Sequence, residues 1–165
     1  MSEFEVRLAR PDEFAAIGEL TVAAYREDGL LEGHEDYADE LRDAAGRAAG
    51  AELLAAVDAA GTVLGSVTVV PSGSAYAELA RADELEFRML GVAAAARGRG
   101  VGEALTRAVL RRAGELGRAR VVLVSLDRMK AAHRLYERIG FARLPERDWA
   151  PYPGVLLLAF GYEVA

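Results

Sequence analysis

The sequence contains no cysteine. That absence excludes disulfide scaffolds, thiolate zinc sites, iron–sulfur clusters and cysteine nucleophiles together. Histidine is scarce as well: with only His34 and His133, a histidine-rich metal site is not expected. Lys130 is the single lysine among 20 basic residues, the rest being arginine. This bias reads as the coding habit of a GC-rich genome, and a bacterial source is expected from it. No apolar stretch is long. The longest, Val155 to Phe160, falls far short of the roughly 20 residues a spanning helix needs. The chain starts Met1-Ser2-Glu3-Phe4-Glu5-Val6-Arg7, with acids where a signal peptide carries bases. A cytoplasmic protein without a membrane partner is expected.

What is present is ample for a core. The chain has 165 residues, 52% of them hydrophobic and 28% charged, which predicts one folded domain over residues 1–165. The net charge of −6 hides a division. Residues 1–86 carry 6 basic and 19 acidic side chains, whereas residues 87–165 carry 14 basic and 7 acidic ones. Such a split suits either two different ligands or two solvated faces.

Periodicity predicts the order β-α-α-β-β-β-α-β-α-β-β. Phe4 to Leu8 alternates as a half-buried strand does, and Pro11 opens a helix with Phe14, Ile17, Leu20 and Ala24 on one face. Residues 27–36 form an acidic loop, and Tyr37 to Ala49 reads as a second helix. Leu53 to Val57 and Val63 to Val70 flank a hairpin turn at Asp58 to Gly61. A strand over 85–92 leads through a glycine cluster to a helix over 101–117. Val121 to Leu126 is a nearly continuous apolar strand, as burial on both sides requires. Met129, Ala132, Leu135, Tyr136 and Ile139 mark another helix, stopped by Gly140. Phe141 to Leu144 and Val155 to Tyr162 are the last strands.

The glycine cluster, Arg97-Gly98-Arg99-Gly100-Val101-Gly102, sits between a strand and an amphipathic helix. Glycine admits conformations in which successive N–H groups converge, and a ligand can approach without meeting a Cβ. The free N–H groups of the next helix add partial positive charge. Arg97 and Arg99 add full charges, so a phosphate or pyrophosphate suits the turn. Two other phosphate motifs fail on spacing. The third glycine of G-x-G-x-x-G would have to fall on Glu103 or Leu105, and no G-K-[ST] exists for a Walker loop. An ordinary strand-to-helix turn is the competing interpretation.

Arg97-x-x-Gly100-x-Gly102, preceded by Leu85 to Val92, resembles the R/Q-x-x-G-x-G/A signature of the GNAT superfamily of N-acetyltransferases. Ala132-His133-Arg134-Leu135-Tyr136-Glu137-Arg138-Ile139-Gly140-Phe141 resembles that family's second motif, A-x-x-L-Y-E-x-x-G-F. The resemblance extends over residues 4–162 and is most specific over 84–141. It implies an α/β (mixed α+β) fold: a mostly antiparallel sheet of about seven strands flanked by about four helices. The strands at 85–92 and 121–126 would splay apart. It also implies acetyl-CoA as acyl donor and no metal. Arg97, Gly98, Arg99, Gly100, Val101 and Gly102 would take the CoA pyrophosphate. The backbone of Leu90, Gly91 and Val92 would pair with the pantetheine arm, and Ser125 at a strand end would reach the same arm or serve only as a strand-end serine. The family's asparagine before the second motif is Met129 here, so that contact to the cofactor is lost.

The chemistry sets its own demands. An alkyl ammonium with a pKa of about 10 costs about 4 kcal/mol to deprotonate at pH 7. A base or a water relay is therefore needed, and the leaving thiolate calls for a proton. By the resemblance Tyr136 is the general acid; its spacing also suits a core aromatic. Glu86 is the candidate base, as in the histone-acetylating branch, with a Glu86–Arg88 surface pair as the alternative. Glu84 and His34 are weaker candidates.

Residues 25–37 and 145–154 correspond to the acceptor border of the family. They carry Glu27, Asp28, Glu32, Glu35, Asp36, Glu146 and Asp148 with Trp149 and Tyr152, a composition suited to a cationic amine or to plain solvated loops. The expected acceptor is a small-molecule or peptide amine, on a monomer or homodimer. A catalytically silent acyl-CoA-binding module is the alternative. Nucleic acid is not an expected partner, because residues 97–120 lack interleaved aromatics and the acidic half repels a polyanion.

Overall fold

In the computed structural model, residues 3–164 are described. Among them are five helices: α1 (Phe14–Glu27), α2 (Tyr37–Arg42), α3 (Ala44–Gly50), α4 (Val101–Glu115) and α5 (Lys130–Ile139). The eight strands are β1 (Phe4–Leu8), β2 (Glu52–Asp58), β3 (Val63–Pro71), β4 (Glu84–Val92), β5 (Arg120–Leu126), β6 (Ala142–Arg143), β7 (Trp149–Tyr152) and β8 (Val155–Glu163). They form one mixed, mostly antiparallel sheet in the order β1-β2-β3-β4-β5-β8-β6, with β7 on β8. Only the β4–β5 ladder is parallel among the pairings given. The mixed α+β architecture is the one expected, with one strand and one helix more than the periodicity suggests.

The extra helix comes from Asp43. Its backbone, at φ −82° and ψ +65°, leaves the helical region, and its carboxylate accepts the Gly46 N–H at 3.0 Å. The predicted helix over 37–49 therefore ends at Arg42 and restarts at Ala44, because a capping aspartate competes with helix continuation. The extra strand, β7, lies in what reads as a loop. It forms because Trp149 pairs with Leu157 and Tyr152 with Val155. Elsewhere local chemistry and structure agree. Asp58 Oδ1 accepts the N–H groups of Ala60 and Thr62 and closes the β2–β3 turn. Gly140 ends α5 at φ +124°.

Backbone contacts divide the chain into two compact units. The first comprises the chain up to Val69 with Met89–Ala108, the second Val70–Arg88 with the chain from Val109 onward. The first unit has two apolar clusters. Ile17, Ala44, Leu53, Ala55 and Val57 form one, and Val22, Leu31, Ala38, Leu41 and Met89 the other. Gly65 belongs to this unit and has no room for a side chain. A Cβ there would stand 2.8 Å from Val101 Cγ1 and 2.9 Å from Gly91 O. The second unit is built around aromatic rings: Tyr136 packs against Phe87, Phe141 and Phe160 with centroids 5.8–5.9 Å apart. Among the described residues no helix is long and apolar enough to cross a membrane.

Candidate active site

The first unit holds the glycine turn. Gly98 and Gly100 both take φ +79°, and a Cβ on either would meet nothing within 4 Å. Their backbone needs glycine, while the space beside them is open. The N–H of Ala104 donates to Gly100 O at 3.0 Å. The N–H groups of Val101, Gly102 and Glu103 lie before it, in the first turn of the 15-residue α4, where a helix has no internal acceptors. Buried Val101 and Leu105 fix this end of the helix. Arg97 pairs with Glu27 at 2.9 Å and Arg99 with Glu3 at 3.2 Å. All four side chains are at least one-third exposed, so each pair is worth about 1 kcal/mol or less. Leu90, Gly91 and Val92 end β4, with Gly91 buried and the other two half-buried.

In the second unit, β4 and β5 pair through Glu84–Arg120, Leu85–Val121 and Glu86–Val122 and no further. Three residues beyond Glu86 stands Met89, at φ +56°, the one described non-glycine residue with positive φ. A left-handed residue inside a strand breaks its regular extension. Register places Leu85 and Phe87 on one face of the sheet, where Phe87 meets Tyr136. Glu84, Glu86 and Arg88 project from the other.

Tyr136 is 4% exposed, and burial pushes its phenol well above the usual range. It is therefore neutral across physiological pH. Glu86 is fully buried. Its carboxylate accepts the N–H groups of Glu78, Leu79 and Ala80 at 2.9–3.2 Å. Arg88 reaches Glu78 and Tyr76 O, and the burial of Glu86 departs from the surface pair given as the alternative. Glu84 lies beside Arg147, whose guanidinium binds it through two bonds of 2.8 and 2.9 Å and also donates to Leu79 O at 2.7 Å. Burial opposes ionisation of Glu84, but Arg147 and the Arg81 N–H outweigh it and hold the carboxyl below its ordinary value.

Ser125 Oγ stands 3.2 Å from His133 Nε2 and 3.7 Å from Met129 Sδ. His133 Nε2 is also 3.0 Å from Leu126 O, which can only accept, so the hydrogen-bond network assigns the imidazole proton to Nε2. Burial pushes the pKa of His133 down and keeps it neutral. His34 is half-buried in a turn whose backbone N–H donates to Leu31 O.

Of the acids expected to border an acceptor, several are already paired. Glu27 binds Arg97, Glu35 binds Arg26, and Asp148 binds Arg143 while accepting the Ala159 N–H at 2.7 Å. Sequence reasoning missed Arg147, Met89, His133 and Gly65 as structural members of these regions. Only Gly65, a glycine inside an apolar strand, carries a local signal of close backbone approach. Among the described residues no group of three or more His, Asp or Glu side chains could hold a metal.

The family profile of the acetyltransferase (GNAT) family matches residues 14–141, and the chain belongs to that family. Solved structures agree. A GNAT-family acetyltransferase from Staphylococcus aureus Mu50 superposes with a TM-score of 0.76 at 13% identity, over 98% of this chain and 99% of that one. A GCN5-related N-acetyltransferase from Kribbella flavida gives 0.67 at 25% identity, over 98% of both chains. The structure of yncA from Salmonella typhimurium with its cofactor acetyl-CoA gives 0.66 at 19% identity, over 99% and 95%. No curated protein matches the sequence.

Proposed function

We propose that this protein transfers the acetyl group of acetyl-CoA to a primary amine, on a small molecule or a peptide, by direct attack on the thioester. The observation that carries the reading is Tyr136: a neutral, buried phenol on the helix of the family's second motif. The amine nitrogen forms a bond to the thioester carbonyl carbon and loses its proton. The carbon–sulfur bond then breaks, and the departing sulfur takes the proton of Tyr136. Glu86 is the terminal acceptor of the amine proton, reached through water, since its oxygens already accept backbone N–H groups. Arg97, Arg99 and the N–H groups of Gly98 to Gly102 hold the pyrophosphate. The backbone of Leu90 to Val92 pairs with the pantetheine arm, and Ser125 closes the strand end beside it. Supporting the donor assignment are the two open positive-φ glycines and the unpaired first turn of α4. We further infer a cytoplasmic bacterial enzyme of one domain, monomeric or homodimeric.

Tyr136→Phe tests the reading directly. Loss of a general acid typically costs about 10²–10⁴ in rate, so kcat falls by that order while the dissociation constant for CoA stays within twofold. An unchanged kcat removes Tyr136 from the mechanism.

A further inference from the structure

A buried base needs water to bring and remove its proton. Glu86 is 0% exposed, and what lies over its carboxylate is part of residues 72–83, the connection from β3 to β4. That connection contains no helix, no strand and no buried residue. Its backbone–backbone bonds lie toward its ends. Ser74 N–H donates to Pro71 O, Ala77 N–H to Ser74 O, Glu84 N–H to Arg81 O, and Ala119 N–H to Asp83 O.

Side chains hold the middle. Glu86 Oε1 accepts the N–H groups of Glu78, Leu79 and Ala80 at 3.0, 2.9 and 3.0 Å. Arg88, two residues further along β4, donates to Tyr76 O at 2.9 Å and pairs with Glu78 at 3.0 Å. Arg147 donates to Leu79 O at 2.7 Å. A segment that buries little apolar surface and is pinned by polar contacts opens locally, at a fraction of the cost of global unfolding. Fixed ends and a releasable middle are the geometry of a hinged strap. The two carboxylate oxygens also differ. Oε1 is filled by three donors, whereas Oε2 takes only a share of the Glu78 N–H at 3.2 Å, so Oε2 keeps the lone pairs that can receive a proton.

We propose that residues 76–80 form a strap, latched by Arg88, that seals Glu86 from water and lifts to let the carboxylate exchange its proton. The use of that proton rests on the acetyl-transfer reading; the strap itself rests only on the bonds just given. Lifting breaks the three N–H bonds to Glu86 and the Arg88 contacts, and water then reaches Oε2. The proton released by the amine passes through that water to Oε2 and returns to bulk solvent by the same route before the strap closes. Arg88 touches the strap and no reacting atom, so it is a positioning residue.

Amide exchange of the full-length protein without substrate, followed by NMR, tests the strap. The N–H groups of Glu78, Leu79 and Ala80 should exchange together, about tenfold or more faster than that of Leu123 in the middle of β5, as a locally opening unit does. Arg88→Met should speed those three amides about tenfold further, the worth of one charge-assisted hydrogen bond, with Leu123 exchange and calorimetric CoA affinity unchanged. Arg88→Lys, which keeps a cation for Glu78, should restore part of the protection. In basic buffer, where exchange becomes independent of pH and reports opening itself, the opening rate should equal or exceed kcat with a responsive amine. Exchange of the three amides only at the rate of Leu123, an opening rate below kcat, or unaltered exchange in Arg88→Met overturns the proposal. If no amine gives thiol release from acetyl-CoA, the acetyl-transfer reading fails, and the exchange of residues 78–80 still decides whether the strap opens.

Discussion

Arg147→Met should destabilise the protein far more than loss of an ordinary arginine. The guanidinium makes two bonds to Glu84 of 2.8 and 2.9 Å and one to Leu79 O of 2.7 Å, and both charged side chains are about 5% exposed or less. Methionine fills the volume but leaves Glu84 with only the Arg81 N–H and Arg120, the latter 3.5 Å away. Removing one member of a buried pair typically costs about 3–5 kcal/mol, because the partner charge stays buried. For a chain of this size that lowers Tm on the order of 10 °C. The loss should depend on pH. In the parent protein the Glu84 carboxyl sits below its ordinary value of 4.5, so the pair contributes fully above that pH and is lost as pH falls through the folded value. In the variant, burial is opposed only by the Arg81 N–H and Arg120, and protonation of Glu84 relieves the strain. The stability gap is therefore widest near neutrality and shrinks in acid. Denaturant unfolding of both proteins from pH 7 down to the carboxylate range reads this out. The double variant Glu84→Leu/Arg147→Met should recover most of the loss, since apolar replacement of a whole buried pair is often neutral. A loss below about 1 kcal/mol at pH 7, the worth of an exposed pair, would refute the reasoning. A double variant no better than the single one would do the same.

Three further outcomes follow from the site. Gly100→Ala, forced into φ +79° with open space around it, should lose about 1–2 kcal/mol of stability and at least tenfold in CoA affinity. Gly154→Ala, at φ +83° and equally open, should lose similar stability and no CoA affinity, and equal effects on CoA would discredit the turn. Glu86→Gln should lower kcat at least tenfold while CoA affinity stays unchanged; an unaltered kcat shows Glu86 acting as the anchor of residues 78–80 alone. Arg7 holds the Glu13 carboxyl down to about 2 from 4.5, so Glu13 contributes fully above pH 4.5 and its contribution drains away toward pH 2. Glu13→Gln should be less stable at pH 7 and flatter across that window, and an unchanged acid limb would disprove the linkage.

Features written in neighbouring residues are legible in the amino-acid sequence alone. The continuous apolar run of β5, the Asp58 hairpin, the stop at Gly140 and the turn at Gly98 and Gly100 each depend on local backbone chemistry. The features that periodicity misses depend on partners distant in the chain or on side chains that override the apolar spacing. Strand β7 contains Pro151 and polar neighbours, and exists through its pairing with β8. Asp43 splits a helix whose apolar spacing continues past it. Glu86 sits on β4 with the alternation of an exposed residue, yet it is buried because the backbone of Glu78 to Ala80 folds over it. Glu84 and Arg147 are 63 residues apart, and nothing in the Glu146-Arg147-Asp148 run distinguishes a buried arginine from a solvated one. The left-handed Met89 carries no glycine to announce it. The acidic acceptor border is the feature that composition describes least well, since Glu27, Glu35 and Asp148 find arginines within their own units.

The central claim is acetyl transfer itself, and thiol release from acetyl-CoA tests it most directly. Free thiol is followed with the purified protein across a panel of primary amines, in parallel with mass measurement of each amine. The account predicts amine-dependent thiol release, matched one for one by a gain of an acetyl group on the amine and abolished in large part by Tyr136→Phe. Tight CoA binding with no thiol release for any amine would contradict it and leave a silent acyl-CoA-binding module in its place.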